Sequence, residues 1–581
     1  MRTGQATDHD GASKSAELTL RTERLGPLPL INHFAARLGL EALLERHVPT
    51  TNDRCRVPHA RAIGVLVRSI LVEREPLYRQ HETVATFAPW AFGLEDKEAE
   101  GLRDDQIGRA LERLFDADRG SLLTDVVVAA QQHFGVVLDE LHNDSTTVSF
   151  AGQYTRATGR SVRGKRAPWI TYGFSKDHRP DLKQLLFVLT TSRDGAVPVQ
   201  FRCEAGNHAD ARTHIETWEA LRRAAGTADF LYVADSKLCA ADPMNHIDER
   251  GGRFVTVLPR SRKEDRHFRE WVQEGEPEWT LVRDRSHPTK KGGPRDRWWV
   301  WRDHLPSREG WPLVWVRSTL LALRQQASRR ERLERAGQEL DALNAQITGA
   351  RPRLRTKIEI AERVADVLRR LRVRDYVQVE IERADQYEYR QARPGRPGPN
   401  TQYRRVTKKR WRLVRSLDAA KIAFDKKSDG MYPLITNDPA LSPEQVFDAH
   451  KRQPDVEKRF AQAKGELSIA PVLLKNESRI EALFFVYFLA LMLEALIERE
   501  LRLAMAREKI ASLPIYAEER LCAQPTGQQV LRLFALAQRH VLQHEGDELQ
   551  AFEHENTELQ QRVLTLLGVP ESAYARPRRE G

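Results

Sequence analysis

Apolar residues recur at spacings of three and four from Pro29 to about Val136: Leu30, Phe34, Leu38, Leu40 and Leu44, then Ile63, Val67, Ile70 and Leu71, then Ile107, Leu111 and Leu114. That period predicts amphipathic helices. Pro49, Pro58, Pro76 and Pro89 suit short connections between them, because proline removes an amide donor. A helical domain over residues 21–136 is expected, after a disordered polar tail at 1–20. Beyond Leu138 the period becomes that of strands. Segments at 139–150, 183–191 and 196–202 follow one another, with the turn Ser192-Arg-Asp-Gly195 between the last two. A helix over 210–225 then leads into Phe230-Leu-Tyr-Val-Ala234, an apolar run suited to a strand buried on both faces. After a short helix, Phe254–Leu258 adds another strand. Meander, helix, strand, helix, strand describes a mixed α/β sheet over 137–262.

Regularity lapses over residues 263–428. Seven of the eleven tryptophans (Trp271, Trp279, Trp298, Trp299, Trp301, Trp311 and Trp315) lie between residues 271 and 315 in strand-like fragments. A heptad-like helix follows, with Leu333, Ala336, Leu340, Leu343 and Ile347, broken at Pro352 and resumed by Ile360, Val364, Val367 and Leu371. Two antiparallel helices, or a short coiled coil, are the economical reading, with packing within the chain favoured over packing between protomers because each helix is short. Val377, Val379 and Ile381 alternate as a strand, and Arg393–Asn400 reads as a Pro/Gly-rich linker. A strand at 432–436 and helices from about 443 to 506 complete the segment 429–510. Residues 511–581 are expected to hold a shorter helical stretch near 527–545 and a disordered end at 573–581.

Composition narrows the class. With 581 residues, 40% hydrophobic and 30% charged, the chain has a globular profile. Cys55, Cys203, Cys239 and Cys522 stand far apart, which argues against a zinc knuckle, a redox dithiol or a disulfide framework and favours a reducing, intracellular setting. The first twenty residues lack the apolar stretch of a secretory signal. The longest apolar run, Ala482–Leu493, falls short of the roughly 20 residues that span a bilayer and reads as a buried helix. The 93 Lys and Arg against 82 Asp and Glu give a net +11. That charge is local: nine of the cations (Arg393, Arg396, Arg404, Arg405, Lys408, Lys409, Arg410, Arg412, Arg415) fall in residues 391–415, which hold no acid, so the rest of the chain carries only +2. Such a block suits phosphate backbones, and it lies shortly before the helical segment 443–506 in sequence.

Three acids draw attention. Asp235 ends the apolar strand 230–234, and functional groups of open α/β sheets gather at the carboxyl ends of strands; an ordinary chain-turning Asp is the alternative. Asp144 lies in the first strand among β-branched and apolar residues, where burying an unpaired carboxylate is costly and a divalent cation is one way to offset that cost. Glu457 and Lys464 lie seven residues apart on a helix whose buried stripe is Val456, Phe460, Ala463 and Leu467, so they share a face roughly 10 Å apart. That separation suits a metal ligand and a phosphate-binding cation; a solvated charged face is the alternative. His208 and Asp210, in Gly206-Asn-His-Ala-Asp210, line a site or cap the following helix. The tryptophans of 263–428 are mostly core residues, with base stacking open to any that face solvent.

The motifs Asn143-Asp-Ser-Thr-Thr147, Ser175–Gln184, Gly206–Asp210, Ala234-Asp-Ser236, Val456–Lys464 and Arg479-Ile-Glu-Ala-Leu, in this order, resemble insertion-sequence transposases of the 1634 family, within the insertion-sequence-4 group. The resemblance runs from Gly26 to about residue 505. It implies an α/β, ribonuclease-H-like mixed sheet with a long insertion, plus an N-terminal helical domain and C-terminal helices. It also implies an Asp-Asp-Glu triad of Asp144, Asp235 and Glu457, with two Mg²⁺ ions, or Mn²⁺ in their place, held by the same three residues. The 222 residues between Asp235 and Glu457 would contain the insertion. The wider group's signature has Tyr and Arg where this chain has His450 and Gln453, so phosphate contacts ascribed to those two do not transfer, nor does a hairpin intermediate.

What the resemblance implies is a DNA transposase of the bacterial cytoplasm, associated with the nucleoid. It would bind terminal inverted repeats, cleave them and transfer the 3′ ends, acting as a homodimer on transposon-end and target double-stranded DNA, with no membrane involved. The helical domain would read end sequence, and Lys464, Arg404, Arg405, Lys408, Lys409 and Arg410 would contact DNA. Two alternatives stand beside it: a catalytically inactive DNA-binding remnant or regulator, and a metal-dependent nuclease that hydrolyses without joining.

Overall fold

The computed structural model describes residues 18–51, 55–73, 75–207, 210–287, 289, 291–349, 354, 356–470, 472–516, 518–544 and 547–576. They form two compact units, one reaching to Val255 and resuming at Ala449, the other running from Thr256 to Asp448. The architecture is mixed α/β, with helices around a mixed sheet.

In the first unit, strand β1 (Leu18–Arg24) precedes the helical segment, whose longer helices are Leu28–Arg37, His59–Val72, Asp104–Asp116 and Arg119–Phe134. Pro58 caps one helix and Pro89 opens a short 3-10 turn, as expected where a missing amide costs nothing. Next come β2 (Glu140–Phe150), the two-residue pair β3 (Ser161–Val162) and β4 (Lys165–Arg166), β5 (Lys183–Ser192), β6 (Pro198–Ala205), β7 (Leu231–Ala234) and β8 (Arg253–Val257). The sheet order is β6-β5-β2-β7-β8, with β2 antiparallel to β5 and parallel to β7. Along β8 the chain passes into the second unit.

Helix Glu477–Arg507 is the spine of this unit. Phe484 packs on Phe187 of β5 at 5.5 Å between ring centroids, and Phe488 stacks on Phe201 of β6 at 5.2 Å. Glu481 pairs with Arg119 and Arg479 with Glu112, each at 2.8 Å, which ties the N-terminal helices to the same element. By length and composition this 31-residue helix passes as a membrane span, longer than the apolar run alone indicated, but 94% of its most apolar window is buried inside the protein. It is a core helix.

The second unit adds β9 (Thr280–Arg285), β10 (Asp296–Arg302), β11 (Leu313–Ser318), β12 (Val377–Arg383), β13 (Gln386–Gln391), β14 (Tyr403–Lys408), β15 (Trp411–Leu417) and β16 (Met431–Thr436). Strands β16, β11, β10 and β9 pair antiparallel in that order. Trp315 is buried and stacks on Phe268 at 3.5 Å, and Trp271 lies parallel to Trp301 at 5.3 Å, so these rings pack on one another. The heptad positions Leu340, Leu343 and Ile347 meet Ile360 and Val364 of helix Lys357–Arg370, together with Val377 and Leu413, in one buried cluster. The heptad helices therefore pack within the chain. Residues 393–400, expected as a linker, are the turn of a hairpin joining β13 to β14.

The C-terminal region departs from the helical expectation. Helix Gly527–Leu533 forms, but 538–544 is strand β17, which pairs with β1 and with β18 (Asp547–Phe552). Of the two buried positions of β17, Arg539 and Val541, the first is 1% exposed and ringed by Glu23, Glu548 and Glu553 at 3.5 to 3.6 Å. A buried arginine hides the alternation by which a strand is recognised. Residues 18–20, placed in the disordered tail, lie in β1. Within the end expected to be disordered, Tyr574 is buried and stacks on Phe534 at 5.3 Å. Residues 1–17 and 577–581 lie outside the described residues.

Candidate active site

The register of β2 and β7 brings two of the three acids together. Asn143 and Ala234 are Cα partners in the parallel ladder, which ends there. Asp144 on β2 and Asp235, the first residue past β7, therefore each directly follow these partners, and the two carboxylates are near enough to interact. The Asp235 carboxylate accepts a hydrogen bond from the Lys237 amide at 3.1 Å, which fixes the turn as the chain leaves β7.

Asp144 is mostly enclosed, with 17% of its side chain exposed. Burial raises its pKa above the usual carboxylate range, the nearby Lys176 ammonium and the Ser145 amide oppose the rise, and Asp235 adds to it. The Ser145 amide donates to Oδ1 at 2.7 Å and Lys176 Nζ approaches the same oxygen at 3.4 Å. The cost of burying Asp144 is thus met in part by a lysine.

Glu457 lies in the first turn of helix Pro454–Ala461 and is exposed. Its helix is pinned along β2. Just before it, Gln453 Nε2 donates to the Asn143 carbonyl at 2.7 Å, and Arg452 makes two hydrogen bonds to Glu140 at 2.6 and 2.7 Å. His142 stands between Glu140 and Gln453, at 2.8 and 3.3 Å. Burial alone would raise the Glu140 pKa, but the hydrogen bonds from His142 and Arg452 outweigh it and hold the carboxyl at about 2. Farther along, Lys464 Nζ reaches both oxygens of Asp177, at 2.7 and 3.0 Å, and Asp177 accepts from Thr147 of β2 at 3.3 Å. Glu457 is one turn beyond Gln453. The helix loosens into a π turn at Gln462–Glu466, so the face shared with Lys464 is not that of a regular α-helix.

Sequence reasoning gave no role to Lys176, Asp177, Glu140 or Arg452, although Lys176 and Asp177 stand within a motif it singled out. It also passed over Phe174, which is 87% exposed while its carbonyl is held by buried Gln184 at 3.0 Å. Gln453, where the transposase signature has Arg, anchors the helix. Burial, with Lys451 and His142 adding to it, lowers the His450 pKa to about 3, so this ring is neutral at physiological pH. His208 and the side chain of Asp210 lie outside the described residues.

Among the described residues, no group of three or more His, Cys, Asp or Glu side chains is drawn together tightly enough to hold a metal ion. The donor set still suits one. Asp144 and Asp235 offer the hard oxygens that Mg²⁺ takes, and a cationic group, Lys176, already stands at Asp144.

The remaining candidates lie in the second unit. Arg404, Arg405 and Lys408 are on β14, and Lys409 and Arg410 link it to β15. Lys408 pairs with Glu388 at 2.5 Å, Arg412 with Glu382 at 2.7 Å and Arg415 with Asp341 at 2.9 Å, so part of the basic block is neutralised within the fold.

Residues 20–128 match one family, described as a domain of unknown function, DUF4277. That span corresponds to the N-terminal helical segment, under half of the chain. No curated protein matches. Among solved structures, the chain aligns with a piggyBac transposase in a synaptic complex with hairpin DNA at 7% identity, over 88% of this chain and 79% of that one, with a TM-score of 0.34. A score at that level does not establish a shared fold.

Proposed function

We propose that this chain is a DNA transposase of the Asp-Asp-Glu type with a ribonuclease-H-like core, as its motifs suggest. Asp144 and Asp235 would hold divalent cations, Mg²⁺ or Mn²⁺, with Glu457 completing the set. The observation that carries the reading is that Asp144 and Asp235 each directly follow the last β2–β7 partners, Asn143 and Ala234, with the Glu457 helix anchored to β2 through Gln453. Metal bound there would supply Lewis-acid stabilisation of the phosphate and a more acidic water or 3′-hydroxyl. Lys176 would move from Asp144 to a phosphate oxygen, and Lys464 would exchange Asp177 for another. Gln453 and the Arg452–Glu140 pair would keep the helix in register while DNA is bound. The substrates would be transposon-end and target duplexes, engaged by a homodimer in the bacterial cytoplasm.

One observation favours a second reading, a DNA-binding protein without catalysis: the three acids are not gathered into a single cluster. Strand transfer with pre-cut ends of the element separates the two. Joined products in Mg²⁺ that disappear in Asp144→Ala support the transposase; binding without any joining in the wild type supports the regulator. In a parallel assay on uncut ends, cleavage without joining would leave a simple nuclease.

A further inference from the structure

Strands β13 and β14 extend the ribbon that β12 and β15 begin. The Ala384 amide donates to the Arg410 carbonyl at 2.9 Å across the junction. The base of the ribbon is anchored, with Val377 and Leu413 in the buried cluster beneath the two long helices. The outer hairpin contributes no buried side chain to any core.

Its two faces differ. In the antiparallel register Tyr387 faces Thr407, Tyr389 faces Arg405 and Gln391 faces Tyr403, so these six side chains share one face. That face holds three tyrosines, 52 to 67% exposed, and no acid. Arg405 lies over the Tyr387 ring at 4.7 Å. The opposite face carries the hairpin's one carboxylate, Glu388, bound to Lys408 at 2.5 Å and Arg390 at 3.2 Å. From Gln386 to Arg410 there are eight Lys or Arg and that single acid, with Arg393 and Arg396 in the turn.

Exposed aromatic area is expensive to keep in water. Here it is displayed on a ribbon edged with cations, and tyrosine hydroxyls are suitable donors to phosphates and base edges. A two-stranded ribbon also fits the major groove, about 12 Å wide. We propose that this hairpin lies in a groove of duplex DNA with its tyrosine face toward the bases, while Arg404, Arg393 and Arg396 meet the phosphates. The proposal deepens the DNA-binding part of the function above and rests on it.

The test uses the full-length protein and fluorescence anisotropy of a labelled 30-base-pair DNA duplex and its single strand, between 50 and 200 mM salt. Replacing Tyr387, Tyr389 and Tyr403 together by Ala should weaken duplex binding at least tenfold at every salt concentration and leave the salt slope unchanged. Arg393→Ala with Arg404→Ala should weaken binding and reduce the slope by ~1.8, about 0.9 per phosphate contact. Replacing the three tyrosines by Phe should recover only part of the affinity lost in the Ala variant, because the ring area returns without the hydroxyl donors. If the triple Ala variant loses its thermal transition, Tyr389→Ala alone carries the test, with a threefold loss expected. Tyrosine variants that bind within twofold of wild type, or a wild type that prefers the single strand, overturn the hairpin proposal alone. A wild type that binds neither probe overturns it together with the proposed function.

Discussion

Replacing Arg452 by Gln tests whether the clamp on β2 holds the Glu457 helix. Glu140 is 4% exposed, and its carboxyl is held at about 2 against an ordinary 4.5. That depression corresponds to about 3 kcal/mol of stability at neutral pH, at roughly 1.4 kcal/mol per factor of ten. Arg452 makes two hydrogen bonds to Glu140 and His142 makes one, but the Arg452 side chain is 32% exposed and partly screened. Its share is therefore about 2 kcal/mol, below the range for a fully buried pair broken on one side. Because the folded-state pKa is depressed, the stabilisation is complete above 4.5 and disappears as pH falls toward 2. Urea unfolding followed by circular dichroism should show Arg452→Gln about 2 kcal/mol less stable at pH 7, with a smaller gap at pH 3. Adding Glu140→Gln should restore part of the loss, since no buried charge is then left unpaired. A loss below about 0.5 kcal/mol at pH 7, or a gap unchanged between pH 7 and 3, refutes the reasoning.

Other consequences follow from single sites. Burial, opposed by Arg459 and reinforced by Glu466 and Glu498, pushes the Glu494 carboxyl up to about 7. With the folded-state pKa raised, the penalty grows as pH climbs from 4.5 to 7, so Glu494→Gln should be neutral at pH 4 and gain about 3 kcal/mol at pH 8, measured by denaturant midpoints. Gly173→Ala would place its Cβ 1.8 Å from the Gly206 carbonyl oxygen, so the backbone must shift; a loss of at least about 2 kcal/mol is expected, and an unchanged midpoint would contradict the packing. Phe174→Ala should leave stability within about 0.5 kcal/mol, since the ring is almost wholly in solvent. Thermal melts distinguish these last two neighbours directly.

The elements legible in the sequence are those whose burial follows a simple period. Phe230–Ala234 reads as a buried strand because nearly every side chain on it is apolar, and the heptad helices read because Leu340, Leu343 and Ile347 fall on one stripe. Strand β17 was hidden because one of its two inward positions is Arg539, made tolerable by Glu23, far away in sequence, and by Glu548 and Glu553. Residues 393–400 read as a linker because Pro and Gly mark a turn without saying whether the flanking strands pair with each other. At the candidate site, Asp235 announced itself by ending an apolar strand. Asp144 stood out as a carboxylate in an apolar strand, but its place beside Asp235 follows from the β2–β7 register, which no local pattern encodes. Lys176, Gln453 and Arg452 stayed silent for the same reason: each acts on a residue at least 30 positions away.

The central claim is that Asp144, Asp235 and Glu457 form one metal-dependent catalytic site. The direct measurement is nicking and joining of a supercoiled plasmid carrying the gene with its own flanking DNA, in Mg²⁺ and in EDTA, for the wild type and each single Ala variant. Mg²⁺-dependent products are expected from the wild type, with a loss of roughly a thousandfold or more in all three variants and DNA binding retained. Products that persist in Glu457→Ala or Asp144→Ala would contradict it.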